Sequence, residues 1–180
     1  MSTEKEKMLR GELYHAFIPD LIAARFRCKQ ACNRFNSIVQ DTTPLPPPHE
    51  DSAEDEALLE DEPWIEGPIK IDYGFNVKLG ANIYINAIAL SPIPACLFSA
   101  THPLDPAVRN GTKGPEAGKE IHISEDCWLR GNGVVLSGVN IGKGATIGAG
   151  SVVTKGVPAF HVAVGNPARV IRKIETSMTE

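Results

Sequence analysis

Residues 123–158 read ISEDCWLRGNGVVLSGVNIGKGATIGAGSVVTKGVP, and a large aliphatic side chain returns at every sixth position: Ile123, Leu129, Val135, Ile141, Ile147 and Val153. An amphipathic helix needs apolar positions near every 3.6 residues, which this step does not supply. Short strands separated by tight turns do supply it, if each strand forms one side of a three-sided prism and points one aliphatic residue inward. Glycines at Gly142, Gly148 and Gly150 let the backbone turn the corners, and polar residues face water. Each coil of such a prism buries its inward residues only against the next, so stability grows by stacking. The spacing therefore predicts a parallel β-helix and leaves its hand open.

Outward from this stretch the signal weakens gradually. PIKIDYG and NVKLGANIYIN, on the N-terminal side, alternate apolar and polar residues, with Gly74 and Gly80 at turns, and Tyr73, Leu79 and Ile85 already fall six apart. Residues 41–62 combine a proline cluster with a dense acidic run and read as a linker, with Asp51–Glu62 able to form a short acidic helix. Residues 2–40 read as helix, from Leu9, Leu13, Leu21, Ile22, Phe26, Phe35 and Ile38, and Pro19 predicts two helices with a break near His15–Pro19. Arg25, Arg27, Lys29 and Arg34 between them read as a solvated face. The organisation expected is an N-terminal helical segment with linker at 1–62 and a repeat domain at 63–175.

Composition excludes several classes. Of 180 residues 42% are hydrophobic, enough for a packed core, while 16 Gly and 14 Pro are unfavourable to long helices. A net charge of −4 argues against a general nucleic-acid binder. No apolar run reaches membrane-span length, and MSTEKEKMLRGEL has no leader-like apolar region, so a cytoplasmic protein is expected. The four cysteines, Cys28, Cys32, Cys96 and Cys127, offer one Cys-x₃-Cys pair for metal or redox use. The plainer reading is four reduced, packed thiols.

Several motifs point to one family. Ile141-Gly142-x₄-Ile147-Gly148 is a hexapeptide transferase repeat. With GELYH, IDYGFNVKLGANIYIN, SATHPLDPAVRNG, IGAGSVVTKGVP and GNPARVIRKI, in this order over nearly the whole chain, it resembles the maltose and galactoside O-acetyltransferases. The resemblance implies a mainly β protein, a left-handed parallel β-helix with an N-terminal α-helical segment, a homotrimer, and acetyl-CoA as donor without a metal. The left hand is taken from the family, since it departs from the usual right-handed crossover.

The resemblance also implies roles. His102, in the THP motif, is the expected general base: a hydroxyl is a poor nucleophile until its proton is accepted, and an imidazole can take that proton and return it to the leaving thiolate. Gly131, Ala149, Thr154, Lys155, Arg169 and Arg172 match acetyl-CoA contacts, the small residues admitting the pantetheine arm and the basic ones meeting phosphates. Asp72 and Asn86 match positions lining the sugar pocket; either residue can equally close a turn of the coil. His15, His49, His122 and His161 read as surface or packing residues, and the histidine cluster of a zinc-dependent relative is missing. Three departures stand out. Only AIALSPIPACLFSAT separates Asn86 from His102, where the family carries a longer stretch and a carboxylate. Arg130 stands where a glycine is usual, and Ala16 replaces a polar residue seen in some relatives. The function expected is O-acetyl transfer to a sugar-like small molecule. The alternatives are a trimer that keeps the scaffold without the reaction, and transfer to an amine.

Overall fold

The computed structural model describes residues 3–40, 63–66, 68–86, 95–111 and 113–179. The linker expected at 41–62, the short acidic helix within it, His49, and Pro92 and Pro94 lie outside the described residues. The protein is mainly β with few helices. Its elements run α1 (Glu4–Leu9), α2 (Pro19–Gln40), β1 (Trp64–Ile65), β2 (Ile69–Ile71), β3 (Val77–Leu79), β4 (Tyr84–Ile85), β5 (Ala95–Phe98), β6 (Ala100–Thr101), α3 (Pro106–Arg109) and β7 (Ala117–Gly118). They continue through β8 (Ile121–Ile123), β9 (Trp128–Leu129), β10 (Val134–Leu136), β11 (Asn140–Ile141), β12 (Thr146–Ile147), β13 (Val152–Val153), β14 (His161–Val164) and β15 (Arg169–Lys173).

The strands form three parallel faces. The first is β1-β4-β9-β12-β14, with β15 added antiparallel, the second β2-β5-β10-β13, and the third β3-β8-β11. From β8 to β13 the chain visits third, first and second faces in turn, twice. Each residue then lies beside the one eighteen positions on: His122 pairs with Asn140, Trp128 with Thr146 and Val134 with Val152. Three faces of six residues are what the spacing predicts.

The inward side chains line up in columns. Ile65, Ile85, Leu129, Ile147 and Ala163 share the first face, Ile71, Leu97, Val135 and Val153 the second, and Leu79, Ile123 and Ile141 the third. All belong to one hydrophobic core, and the six repeat positions from Ile123 to Val153 are each buried. Burying one such side chain contributes about 1.5–3 kcal/mol, and each buried residue also covers its neighbours in the column. Corners require glycine where coils touch: a Cβ on Gly142 would lie 2.5 Å from the amide nitrogen of Ala159, and one on Gly80 2.6 Å from that of Glu125.

Two readings change. Tyr73 does not join the column with Leu79 and Ile85, because Ile71 pairs with Leu97 as the inward residue of β2. Tyr73 instead packs in a second core with Met8, Tyr14, Ala16 and Leu21 from the N-terminal segment. The break between the helices is also wider than expected. Thr3 caps α1 through a reciprocal pair of bonds with Glu6, Arg10 caps its other end, and Gly11 then adopts φ +72°. The chain next runs extended, and Tyr14 makes two backbone hydrogen bonds to Glu116, at 2.9 and 2.7 Å, before α2 starts at Pro19. A backbone partner more than a hundred residues away is invisible to helical periodicity.

α2 lies on β2: the Asn36 side chain accepts from the Ile69 amide at 2.9 Å and donates to its carbonyl at 3.0 Å, and the Cys28 thiol donates to the Ile71 carbonyl at 3.3 Å. Arg25 is not simply solvated, since its guanidinium sits 4.8 Å from the Phe17 ring and bonds the Ala16 carbonyl at 3.0 Å. All four cysteines are free thiols. No helix among the described residues is long and apolar enough to cross a membrane.

Two measurements test this packing. Ile141→Ala removes a side chain from the centre of the third column and is expected to lower unfolding free energy by about 2–5 kcal/mol in urea titration; a change well under 1 kcal/mol would place it outside a shared interior. Burial raises the Cys127 thiol from 9.0 to about 11. Between those values the unfolded chain releases this proton and the folded chain keeps it, so the stability Cys127 contributes falls as pH rises through that window. Cys127→Ala is expected to flatten the alkaline fall in melting temperature, and an unchanged slope would contradict the burial of the thiol.

Candidate functional site

Among the described residues the chain leaves the coil between β5 and β8. The excursion is anchored where it departs: the carbonyl of Ser99, a fully buried residue, accepts from the Lys119 amide at 3.1 Å and from the Ser137 hydroxyl at 2.8 Å. Its two arms pair antiparallel, Ala100 with Gly118 and Thr101 with Ala117. Between them Asp105 caps α3, its carboxylate accepting from the Ala107 amide at 2.9 Å, and Pro106 occupies the first turn. Arg109 donates to the carbonyls of Pro103 and Leu104 at 3.3 and 3.4 Å, which folds the tip back on itself.

His102 follows β6 directly, on the arm facing β7. Its side chain is half-exposed, and its Nε2 lies 4.0 Å from Oε1 of Glu116, whose own side chain is only 5% exposed. The other Glu116 oxygen accepts from the Tyr14 hydroxyl at 3.4 Å, long for such a bond. Tyr14 is buried, and that burial, with Tyr73 and Glu116 close by, holds its phenol well above the ordinary value, so it stays a donor. Sequence reasoning missed Glu116 and Tyr14, although Tyr14 lies within the GELYH motif. The pairing that joins them is a tertiary contact.

A groove of about 330 Å³ runs beside this hairpin, lined by Phe98, Thr101, Lys119, Leu136, Ser137 and Thr154 among others. Thr154, an expected donor contact, is thus brought to the same groove as the residue preceding His102. Gly131 and Ala149 lie at successive levels of one corner, where the Gly150 amide donates to the Gly131 carbonyl at 2.9 Å. Gly131 is buried and Ala149 exposed. Lys155 follows Thr154 into solvent, and Arg169 and Arg172 project from β15, opposite Val164 and Val162. None of these three cations is neutralised by a carboxylate among the described residues.

The two expected acceptor residues lie elsewhere on the single chain. Asn86 belongs to a network on the outside of the first face: it donates to Glu66 at 3.1 Å and accepts from the Trp128 indole at 2.5 Å, while Tyr84 donates to Glu66 at 2.6 Å. Arg130 stacks 4.8 Å from the Trp128 ring, which occupies it structurally where the family has glycine. Asp72 lines a separate groove of about 370 Å³ with Arg25, Lys29, Asn36 and Lys70. Burial raises its carboxyl, and Arg25 opposes the shift. The described contacts join neither residue directly to His102. Ala16 is fully buried in the second core, so no polar group stands at that position.

Two of the remaining histidines have local partners. His122 pairs with Glu120 at 3.0 Å and His161 with the Ala159 carbonyl at 2.7 Å. Among the described residues no three histidine, cysteine, aspartate or glutamate side chains gather as a metal site.

Comparison with known proteins fits this geometry. Residues 7–61 match the family model of the maltose acetyltransferase hexapeptide capping motif. A protein of Staphylococcus aureus named as an acetyltransferase is 40% identical over 198 positions, covering 98% of this chain and 94% of that one. Among solved structures, a maltose O-acetyltransferase from Clostridium difficile 630 is similar at 35% identity and TM-score 0.69, covering 97% of this chain and 99% of that one. A galactoside acetyltransferase in complex with coenzyme A follows at 27% identity and TM-score 0.66, covering 97% and 92%. A stacked hexapeptide core, a histidine hairpin held by an N-terminal segment, and whole-length similarity of this degree make one statement: the chain belongs to the maltose and galactoside O-acetyltransferase family of hexapeptide-repeat acyltransferases.

Proposed function

We propose that this protein transfers acetyl from acetyl-CoA to a hydroxyl of a sugar or similar small molecule, with His102 as general base. The observation that supports the reading is the groove lined by both Thr101, the residue before His102, and Thr154, an expected donor contact. In this scheme His102 accepts the acceptor hydroxyl's proton as the oxygen attacks the thioester carbonyl. The tetrahedral adduct collapses by breaking its C–S bond, and the imidazolium returns the proton to the departing thiolate. No acyl-enzyme is required, because the thioester is already activated.

The donor reading assigns the pantetheine arm to the corner at Gly131 and Ala149, where small residues allow close approach to backbone, with Thr154 alongside. Lys155, Arg169 and Arg172, exposed and without a carboxylate partner among the described residues, then meet the phosphates. Coenzyme A bound to the related galactoside acetyltransferase supports a donor of this class. Asp72 and Asn86 serve the acceptor, and since neither meets His102 within one chain, a neighbouring subunit must complete the pocket. A left-handed β-helix assembled as a cytoplasmic homotrimer, with residues 1–62 as cap and 63–175 as coil, provides such clefts. Exposed Ile22 and Phe26 on α2, and Trp64 on the first face, are apolar surface available for that contact. After the short approach, β5 stays in register with β2 and β10.

His102→Ala is expected to abolish thiol release from acetyl-CoA while leaving the melting curve unchanged, and retained turnover would exclude His102 as the base. Wild-type protein that releases no thiol with any sugar or amine would favour the reading of a scaffold without the reaction. Arg169→Ala is expected to raise KM for acetyl-CoA about tenfold with kcat nearly constant, from loss of one charge-assisted bond. Light scattering should give a particle of three chains.

A further inference from the structure

We infer that Glu116, held by the N-terminal segment through Tyr14, is the positioning residue that orients His102 and balances the charge its ring acquires during transfer. The inference rests on His102 being the base and adds the group that controls it.

The argument starts from burial. A carboxylate taken out of water is costly, by several kcal/mol, unless partners replace its hydration. Glu116 is such a group, with its side chain 5% exposed, and no lysine or arginine pairs with it among the described residues. Its ion-pairing partner there is His102, at 4.0 Å, and its hydrogen-bond donor is Tyr14, at 3.4 Å. The other ionisable groups facing this cluster are Tyr73, beside Tyr14, and beyond it Arg25, 5.7 Å from the Tyr73 ring, and Asp72. The ring that becomes positive when it accepts a proton is therefore the cation within reach of this carboxylate.

The backbone supports the same assignment. Tyr14 and Glu116 exchange two main-chain hydrogen bonds, so the carboxylate is fixed at its root, while His102 sits half-exposed on the opposite arm of the hairpin. Both side-chain separations exceed an ordinary hydrogen bond. Catalytic bonds of this kind tighten when substrate orders the reacting groups, and a small rotation of the half-exposed imidazole closes the gap. The ring nitrogen facing Glu116 then carries the proton, and the opposite nitrogen presents its lone pair to the acceptor hydroxyl. The capping segment thereby becomes part of the catalytic apparatus through one phenol.

Two readouts test this on the full-length protein. Long-range ¹H–¹⁵N spectra, with His102→Ala to assign the ring, read which nitrogen holds the proton whether or not an acceptor is known. One tautomer is expected to dominate in the native protein, and Glu116→Gln to give a mixture; identical spectra would overturn the inference. With acetyl-CoA and a maltose or methyl galactoside acceptor, Glu116→Gln is expected to lower kcat roughly 10- to 100-fold, with KM for acetyl-CoA within about twofold and partial rescue by Glu116→Asp. Tyr14→Phe should give a smaller loss in the same direction and serves if Glu116→Gln does not fold. Turnover retained by His102→Ala would instead remove the base assignment and leave the tautomer result standing.

Discussion

Inward side chains of the coil stack on their counterparts one coil away. Ile147 meets Leu129 on one side and Ala163 on the other, and Ile141 meets Ile123. That vertical dependence explains why the step is strict: a one-residue slip would turn an aliphatic residue outward and a polar one inward on every following face. It also explains why glycine recurs where two coils touch, since a Cβ at Gly142 would collide with the backbone of the coil beside it. The hairpin that carries His102 is attached where the chain leaves this coil.

The excursion between β5 and β8 shows how such an attachment is stabilised. A hairpin of two-residue arms could not hold an imidazole in place alone. Here Ser137, from the following coil, grips its base through Ser99, and Tyr14 from the N-terminal segment grips Glu116. The second core, of Met8, Tyr14, Ala16, Leu21 and Tyr73, therefore links the cap, the first coil and the hairpin. The N-terminal segment thus packs against the hairpin that carries His102 as well as against the coil.

The coil was legible from residues 123–158 because its period is local: six residues separate one inward side chain from the next, and the pattern survives without any knowledge of what lies opposite. The signal failed at Tyr73, which has the right spacing and the wrong partners. Its ring is claimed by the N-terminal segment, and Ile71 fills the interior position instead. The same limit applies to the site. His102 stood out by its motif, whereas Glu116 carried no signal of its own, because a glutamate in a polar loop looks solvated until Tyr14 is laid across it. Asn86, expected to line the sugar pocket, and Arg130, which stands where a glycine is usual, are bound into one surface network with Trp128.

By itself the sequence determined the three-faced stacking, the identity of its interior column from Ile123 to Val153, and the motif that carries His102, since all of these depend on residues close together in the chain. The tertiary structure alone decided that Tyr14 lies against Glu116, that Glu116 is buried within reach of His102, and that Thr154 opens onto the groove beside Thr101. Those relations join residues dozens to a hundred positions apart, and the free energy that selects them, the burial of a carboxylate only where a donor and an imidazole await it, exists only once the chain has closed on itself.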